Sequence, residues 1–305
     1  MTDAMNIFDR RLLRLHRDRA VAALDQHDFL LREIAGRLAE RLDVVNRTFP
    51  LALDLGCHGG AVAAALGGRK GIERLVQCDS SHAMARRAAS NGQPSLTAAE
   101  DLLPFAAECF DLVLSNLSLH WVNDLPGCLL QVRQTLKPDG LFLAALLGGA
   151  TLQELRDVLM EAELAVHGGA GPRISPFVDL RDAGALLQRA GFALPVADSD
   201  TLTVTYADLP ALLRDLRGMG ETNALLARPN KPLTRAALVQ ADDLYRRRHS
   251  DREGRLMVTF QVIYLTGWAP HEAQQKALRP GSARSRLAAA LGAREQTAGD
   301  KARPD

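Results

Sequence analysis

The sequence has no excess charge of either sign, no paired cysteines and no long apolar run, and each absence removes a class of function. Lys and Arg number 37 against 36 Asp and Glu in 305 residues, so no global field exists to recruit nucleic acid or an anionic membrane. No nucleic-acid partner is expected. The four cysteines, Cys57, Cys78, Cys109 and Cys128, stand far apart without a C-x-x-C pair, which argues against a zinc site or redox couple and for buried reduced thiols. No stretch approaches the ~18 apolar residues of a membrane span, and no basic segment followed by an apolar run opens the chain. No transmembrane segment is therefore expected, only peripheral membrane contact at most, and the expected location is the cytoplasm. Internal repeats are also missing. What is present is 47% hydrophobic residues, ample for a real core.

Residues 1–48 read as an N-terminal helical extension. Apolar residues recur at helical spacing in Leu12 and Leu15, then in Leu30, Ile34, Leu38 and Leu42, predicting two helices before the first strand. Arg10, Arg11, Arg14, Arg17 and Arg19 interleave with the first set; such a cluster can dock an acidic partner or a lipid surface, but charge runs on amphipathic helices are usually solvated faces, which is the reading taken. From 49 to 150 the rhythm changes to short apolar runs, Leu51 to Leu55, Arg74 to Cys78, Phe110 to Ser115 and Leu141 to Leu147, separated by helical stretches near Val62 to Leu66, Ser81 to Ser90 and Leu125 to Leu136. That alternation predicts an α/β cofactor-binding core with a doubly wound, Rossmann-like sheet. Residues 151–269 read as a helical cap plus the last two strands of the same domain. They hold a helix from Thr151 to Val166, a Gly/Pro-rich loop from Gly168 to Pro176 as a candidate lid, and a helix ending at Ala190-Gly191-Phe192. Extended stretches follow at Thr201 to Tyr206 and Met257 to Thr266, with a helical insertion from Asp208 to His249 before the last strand. Residues 270–305 are polar and small, and a disordered tail is expected there.

The chemistry gathers where the predicted strands end. In Leu51-Ala52-Leu53-Asp54-Leu55-Gly56-Cys57-His58-Gly59-Gly60 an apolar strand runs into an Asp and a glycine-bearing turn that opens a helix. Gly56 and Gly60 permit a sharp bend and close approach of a ligand, and the helix N-terminus offers free N–H groups to a carboxylate. An ordinary strand-to-helix turn has the same appearance. The second strand ends at Asp79, where nucleotide-binding α/β folds place a carboxylate on the ribose hydroxyls. Helix capping by Asp79, Ser80 or Ser81 is the structural alternative. Next come Ala99-Glu100-Asp101-Leu102-Leu103-Pro104-Phe105 and the strand Phe110 to Ser115, which runs on through Asn116 and Leu117 to His120 and Trp121. Asn116 and Leu117 are expected to line the cleft. The G-x-G-x-x-G fingerprint of dinucleotide binding is not matched, since Gly56 is followed by Gly59 and Gly60 and preceded by Asp54.

The Asp54 to Gly60 segment resembles the first motif of class I S-adenosylmethionine-dependent methyltransferases, and the resemblance implies S-adenosyl-L-methionine as cofactor. It assigns Asp54, Gly56, His58, Gly60, Asp79, Ser80, Glu100, Asp101, Leu102, Asn116 and Leu117 to its binding, with the acidic loop at the adenine edge. His58 stands where that family has Gly, placing a bulky side chain beside the ligand path. Methyl transfer from a sulfonium needs positioning and charge placement more than acid–base help, and no catalytic residue is assigned. Ser115-Asn116-Leu117-Ser118 replaces the N/D-P-P-Y motif of enzymes that methylate base amines, which disfavours that activity.

Four later segments, Gly148 to Arg156, Arg173 to Phe177, Leu216 to Asn223 and Thr266-Gly267-Trp268, together with Phe8-Asp9-Arg10, resemble the family of complex I assembly factors of methyltransferase fold over most of the chain. This implies a cofactor-binding protein acting on a subunit of respiratory complex I, with arginine hydroxylation as the reaction. A looser resemblance is to the biotin-pathway enzyme that methylates malonyl-acyl carrier protein. Trp121, Arg173, Ser175, Glu221 and Asn223 are the substrate-facing candidates, and Glu221 suits a guanidinium. Alternatively, Gly218 and Gly220 merely end a helix while Glu221 and Asn223 satisfy local backbone groups. His16-Arg17-Asp18 has an H-x-D spelling, yet i and i+2 side chains of a helix point apart, so no metal site is read. Three functions stay open: methyl transfer to a small or carrier-bound acceptor, modification of a complex I subunit, and a non-catalytic, cofactor-binding assembly chaperone.

Overall fold

Strands form where β-branched and apolar residues run together, and helices start where a side chain caps them. In a computed structural model, which describes residues 6–275 and 291–293, α1 (Arg10–Ala20) is capped by Asp9, whose carboxylate accepts from the Leu12 N–H at 2.9 Å. Then come α2 (Phe29–Asp43), β1 (Leu51–Leu55), α3 (Ala61–Leu66), β2 (Arg74–Asp79) and α4 (His82–Ala88), the last capped by Ser81. After β3 (Ser95–Thr97) and β4 (Phe110–Asn116), Asp124 caps α5 (Leu125–Thr135), which leads into β5 (Leu136–Leu147). The remaining elements are α6 (Gln153–His167), α7 (Leu180–Arg189), β6 (Ala193–Tyr206), α8 (Leu209–Gly218), α9 (Arg235–His249) and β7 (Leu256–Trp268). The chain as far as Pro270 forms one unit; the tail expected over 270–305 falls largely outside the described residues.

The strands make one seven-stranded sheet in the order β3-β2-β1-β4-β5-β7-β6. β1 to β5 are mutually parallel, and β7 runs antiparallel to both β5 and β6. Parallel strands need crossovers, which the helices after β1, β2 and β4 provide. One face of the sheet buries Leu30, Ile34, Leu38 and Leu42 of α2 together with residues of α6, α8 and α9, and the other buries residues of α5 and α7. The parallel core and the insertion before the last strand agree with the sequence pattern.

Two strands depart from it. β3 has only three residues and two of them are polar, too little for a periodic signal. β6 starts at Ala193 instead of Thr201, because Pro195, Asp198 and Asp200 disguise an edge strand. Proline and charge are what edges tolerate and what keeps them from pairing further. Asp198 binds Arg41 of α2 at 2.6 Å, and Asp200 pairs with Arg37, tying that edge to the helical layer.

Phe142, wholly buried in β5, stacks on Phe192 with ring centroids 5.3 Å apart. Phe142→Ala is expected to lower stability by about 3–5 kcal/mol, read as a lower urea midpoint with the slope unchanged.

Candidate functional site

The sheet order reverses between β1 and β4, and open α/β sheets bind ligands at the carboxyl edge of that reversal. The chain is tightly turned there. Gly56 has φ +73°, and a Cβ on it would lie 2.2 Å from the Ser118 Oγ, so only glycine fits. Gly60, at φ +88°, opens α3. His58 (φ +47°) and Leu117 (φ +49°) are also left-handed, a conformation that costs a residue with a Cβ roughly 1–2 kcal/mol. The strain at His58 is held by two contacts. Its N–H donates to the Asp79 Oδ2 at 3.1 Å, and its Nε2 lies 3.2 Å from the Leu117 carbonyl. That carbonyl can only accept, so Nε2 carries the proton. Burial first, and then the charge of Arg17, lower the imidazole pKa, keeping the ring neutral.

Arg17 is the centre of the cleft. The arginine-rich stretch of α1 does not form a uniformly solvated face: Arg17 lies on the buried stripe with Leu13 and Ala20 and has 0% exposure. Its Nη1 donates to both oxygens of Asp79 at 3.3 Å and to the Glu100 Oε1 at 3.0 Å, and its Nη2 donates to the Ser118 Oγ at 3.0 Å. Arg10, one α1 face over two turns away, pairs with the other Glu100 oxygen. Asp79 also accepts from the Ser81 N–H at 2.7 Å, and the Ser118 hydroxyl donates to Glu100 at 2.8 Å. Burial works against the charge on Arg17 but Asp79, Glu100 and Glu221 outweigh it and raise its pKa. Burial likewise works against the Glu100 carboxylate, and Arg10 and Arg17 overcome it, bringing the carboxyl to about 2.

Asp54 is different. It is fully buried, and neither carboxylate oxygen has a partner; burial, reinforced by the charge of Asp79, pushes its carboxyl up to about 8. Nearby, the His58 Nδ1, the Ser80 Oγ and the Asn116 Oδ1 are also buried without partners, while the Asn116 Nδ2 donates to the Leu31 carbonyl of α2 at 2.8 Å. Unsatisfied buried polar atoms are costly, so this edge is chemically prepared for a polar, cation-bearing ligand. Not every candidate joins it. Asp101 is half-buried and lends its carbonyl to the Gln131 side chain at 2.9 Å, and Leu102 is 75% exposed; the loop turns both away from the buried cluster.

A cavity of about 850 Å³ lies beside the cleft, and Trp121, Arg173, Ser175, Glu221 and Asn223 all line it. The Glu221 Oε2 accepts from the Trp121 Nε1 at 2.9 Å and from the His120 Nε2 at 3.1 Å. Burial raises the Glu221 carboxyl, but His120 and Arg17 prevail and its pKa falls. Asn223 does satisfy local backbone, donating to the Pro172 carbonyl and accepting from the Leu225 N–H, both at 2.9 Å. Arg173 is held by Glu163 at 2.5 Å. His16 contacts the Thr222 carbonyl at 3.2 Å and Asp18 accepts from the Ser81 hydroxyl at 2.5 Å, so the two face different neighbours. Among the described residues no group of three His, Cys, Asp or Glu is placed to hold a metal ion. Sequence reading missed Arg10 and Arg17 as site residues, while His120 was named with Trp121 as a candidate for shaping the acceptor pocket; the i, i+7 spacing of Arg10 and Arg17 on one helix face was the available signal.

The raised Asp54 pKa fixes a sign. The folded protein keeps this proton up to about pH 8, whereas an unfolded Asp releases it near about pH 4. Stability therefore falls as pH rises through that window, by up to about 1.4 kcal/mol per unit. Asp54→Asn is expected to raise the ligand-free melting midpoint at pH 8 and to leave it nearly unchanged at pH 4, as followed by thermal denaturation across that range.

Residues 53–144 match the family model described as Methyltransferase domain, the segment that contains every strand end just described. The mitochondrial arginine-hydroxylase NDUFAF5 of Danio rerio is 43% identical over 92% of this chain and 88% of its own length, and the human protein of the same name is 41% identical over 92% and 81%. The malonyl-[acyl-carrier protein] O-methyltransferase of Methylovorus sp. (strain MP688) is 32% identical, covering 88% of this chain and 92% of its own. Among solved structures, the YcgJ protein of Bacillus subtilis superposes with a TM-score of 0.54 at 16% identity, covering 77% of this chain and 98% of that one; this likeness concerns the fold alone. The expectation of a cytoplasmic location is overturned, since the arginine-hydroxylase relatives are named as mitochondrial. With relatives of both kinds aligned over most of their length and the sheet order of the class I fold, the chain belongs to the methyltransferase-fold family that includes these arginine-hydroxylases and malonyl-[acyl-carrier protein] O-methyltransferases.

Proposed function

We propose that this chain binds S-adenosylmethionine at the carboxyl edge of β1, β2 and β4 and acts on a protein subunit of respiratory complex I during its assembly, with arginine hydroxylation as the reaction that the names of its relatives support. The observation that carries the cofactor is the set of buried, partnerless polar atoms around Asp54. When bound, the cofactor would supply a sulfonium-activated methyl group for methyl transfer; hydroxylation would instead take one oxygen atom from dioxygen, the other leaving as water with two electrons from an external reductant. Asp54 faces the need for a counter-cation and loses its proton when one arrives, so ammonium binding and Asp54 ionisation are linked. Asp79, already held by Arg17, would offer its carboxylate oxygens to the ribose hydroxyls. Ser80 contributes a free hydroxyl, and Gly56 lets the backbone close on the ligand without a side chain in between. Glu221, fixed by His120 and Trp121, presents an ionised carboxylate in the neighbouring cavity, suited to orienting a substrate guanidinium.

A second reading is O-methyl transfer to malonyl-acyl carrier protein. The relatives of that name support it, as do the cationic side chains around the cavity, which suit a carboxylate acceptor.

Isothermal titration of wild-type and Asp79→Asn protein with S-adenosylmethionine tests the shared part. Micromolar wild-type binding, about −8 kcal/mol, weakened at least tenfold in the variant is expected; folded wild-type protein that does not bind refutes both readings. Mass spectrometry of complex I subunits with and without the protein, beside malonyl-acyl carrier protein incubated with the protein and cofactor, then separates the reactions, by an arginine peptide heavier by one oxygen or a carrier-protein product heavier by one CH₂. Peptide masses identical in the two samples overturn the first reading.

A further inference from the structure

The cavity beside the cleft is larger and more apolar than an arginine side chain or a malonyl group requires. At about 850 Å³ it falls in the range that encloses a whole small ligand, about 300–1,000 Å³. Its lining includes Ile174, Phe177, Leu213, Leu233 and Leu238, all half-buried apolar residues, backed by fully packed side chains such as Leu155 and Phe260. Its polar side is cationic. Arg173 and Arg228 are neutralised by Glu163 and Asp9, but Arg19, Arg217 and Lys231 are exposed and have no ion-pair partner among the described residues. Glu221 is the one carboxylate of the lining, and its Oε2 is held by His120 and Trp121, so the cations of the lining outnumber its anions. An apolar lining with unpaired cations at its polar side is complementary to a molecule that is apolar along its length and anionic at one end.

We infer that this cavity binds a single-chain anionic amphiphile, an acyl chain of roughly ten or more carbons ending in a carboxylate, with the chain against Ile174, Phe177, Leu213, Leu233 and Leu238 and the carboxylate at Arg19, Arg217 and Lys231. Each buried CH₂ contributes about 0.8 kcal/mol, so chain length supplies affinity, while the cations supply selection by charge. The site goes beyond the reactions above and does not depend on the cofactor being bound.

Dodecanoate is the probe, with dodecylammonium matching the chain and reversing the charge, and acetate keeping the charge without the chain. Titration calorimetry on the full chain is expected to give micromolar binding of dodecanoate, at least tenfold weaker binding of dodecylammonium, and none of acetate. Arg217→Glu/Lys231→Glu, both changes at exposed positions that a folded protein accommodates, is expected to weaken dodecanoate at least tenfold. The chain has two tryptophans, so Trp268→Phe leaves Trp121 as a reporter in the cavity wall, and a chain-brominated dodecanoate is expected to quench it. Equal binding of the two amphiphiles, undiminished binding in the double variant, or binding without quenching of Trp121 each overturns the assignment. Titration with S-adenosylmethionine in parallel reports on the cofactor cleft separately, so failure at one site is not mistaken for failure at the other.

Discussion

A guanidinium buried to 0% exposure between two carboxylates sets the terms for everything around it. Removing three charged groups from water is expensive, and the cost is offset only if each charge finds good geometry and every lone pair a donor. Arg17, Asp79 and Glu100 meet most of that condition through Ser118, the Ser81 and His58 backbone N–H groups, and Arg10, with the Arg17 Nε left without a partner. Those contacts in turn fix the turn after β1, the start of α4, the loop after β3 and the segment after β4. Removing one partner from such a set leaves uncompensated charge worth roughly 3–5 kcal/mol, so the cluster is a structural keystone as well as a binding edge.

The same cluster explains the contrast between Asp54 and Asp79. The two carboxylates end neighbouring parallel strands, β1 and β2, yet one is surrounded by donors and the other by none. Burial without a donor is what raises the Asp54 carboxyl. His120, Trp121 and Glu221 extend this polar system into the adjacent cavity, and the Trp121 carbonyl accepts from Arg10 at 3.1 Å. Cleft and cavity therefore share side chains of α1, the residues after β4 and the loop after α8.

Much of this was legible in the sequence. Apolar runs ending at Asp54, Asp79 and Asn116 identified the strands and their carboxyl edge, because parallel strands buried on both faces must be continuous and apolar. Trp121, Arg173, Ser175, Glu221 and Asn223 do share one cavity. Arg17 was not legible, since an arginine in an amphipathic helix is ordinarily solvated, and only the tertiary approach of two carboxylates makes its burial favourable. Asp101 and Leu102 follow Glu100 directly, but adjacency in a loop does not imply a shared direction, and the chain reverses between Glu100 and Leu102. β6 escaped full reading for the opposite reason: its Pro and Asp residues are those of an edge, and edges imitate loops. Location was not encoded in net charge or in the lack of an apolar span, both of which suit an organelle matrix as well as a cytosol.

The counter-ions of Arg17 lie 62 and 83 residues away along the chain. Contacts of such separation form only after the intervening segments have been brought together, and the entropy of closing those loops is paid before the contact returns anything. α1 thus has a helical cap and spacing of its own but no home for its central cation until β2, β3 and β4 have aligned. Burial of the arginine that completes the cleft is therefore conditional on the sheet beneath it having been assembled in the correct order.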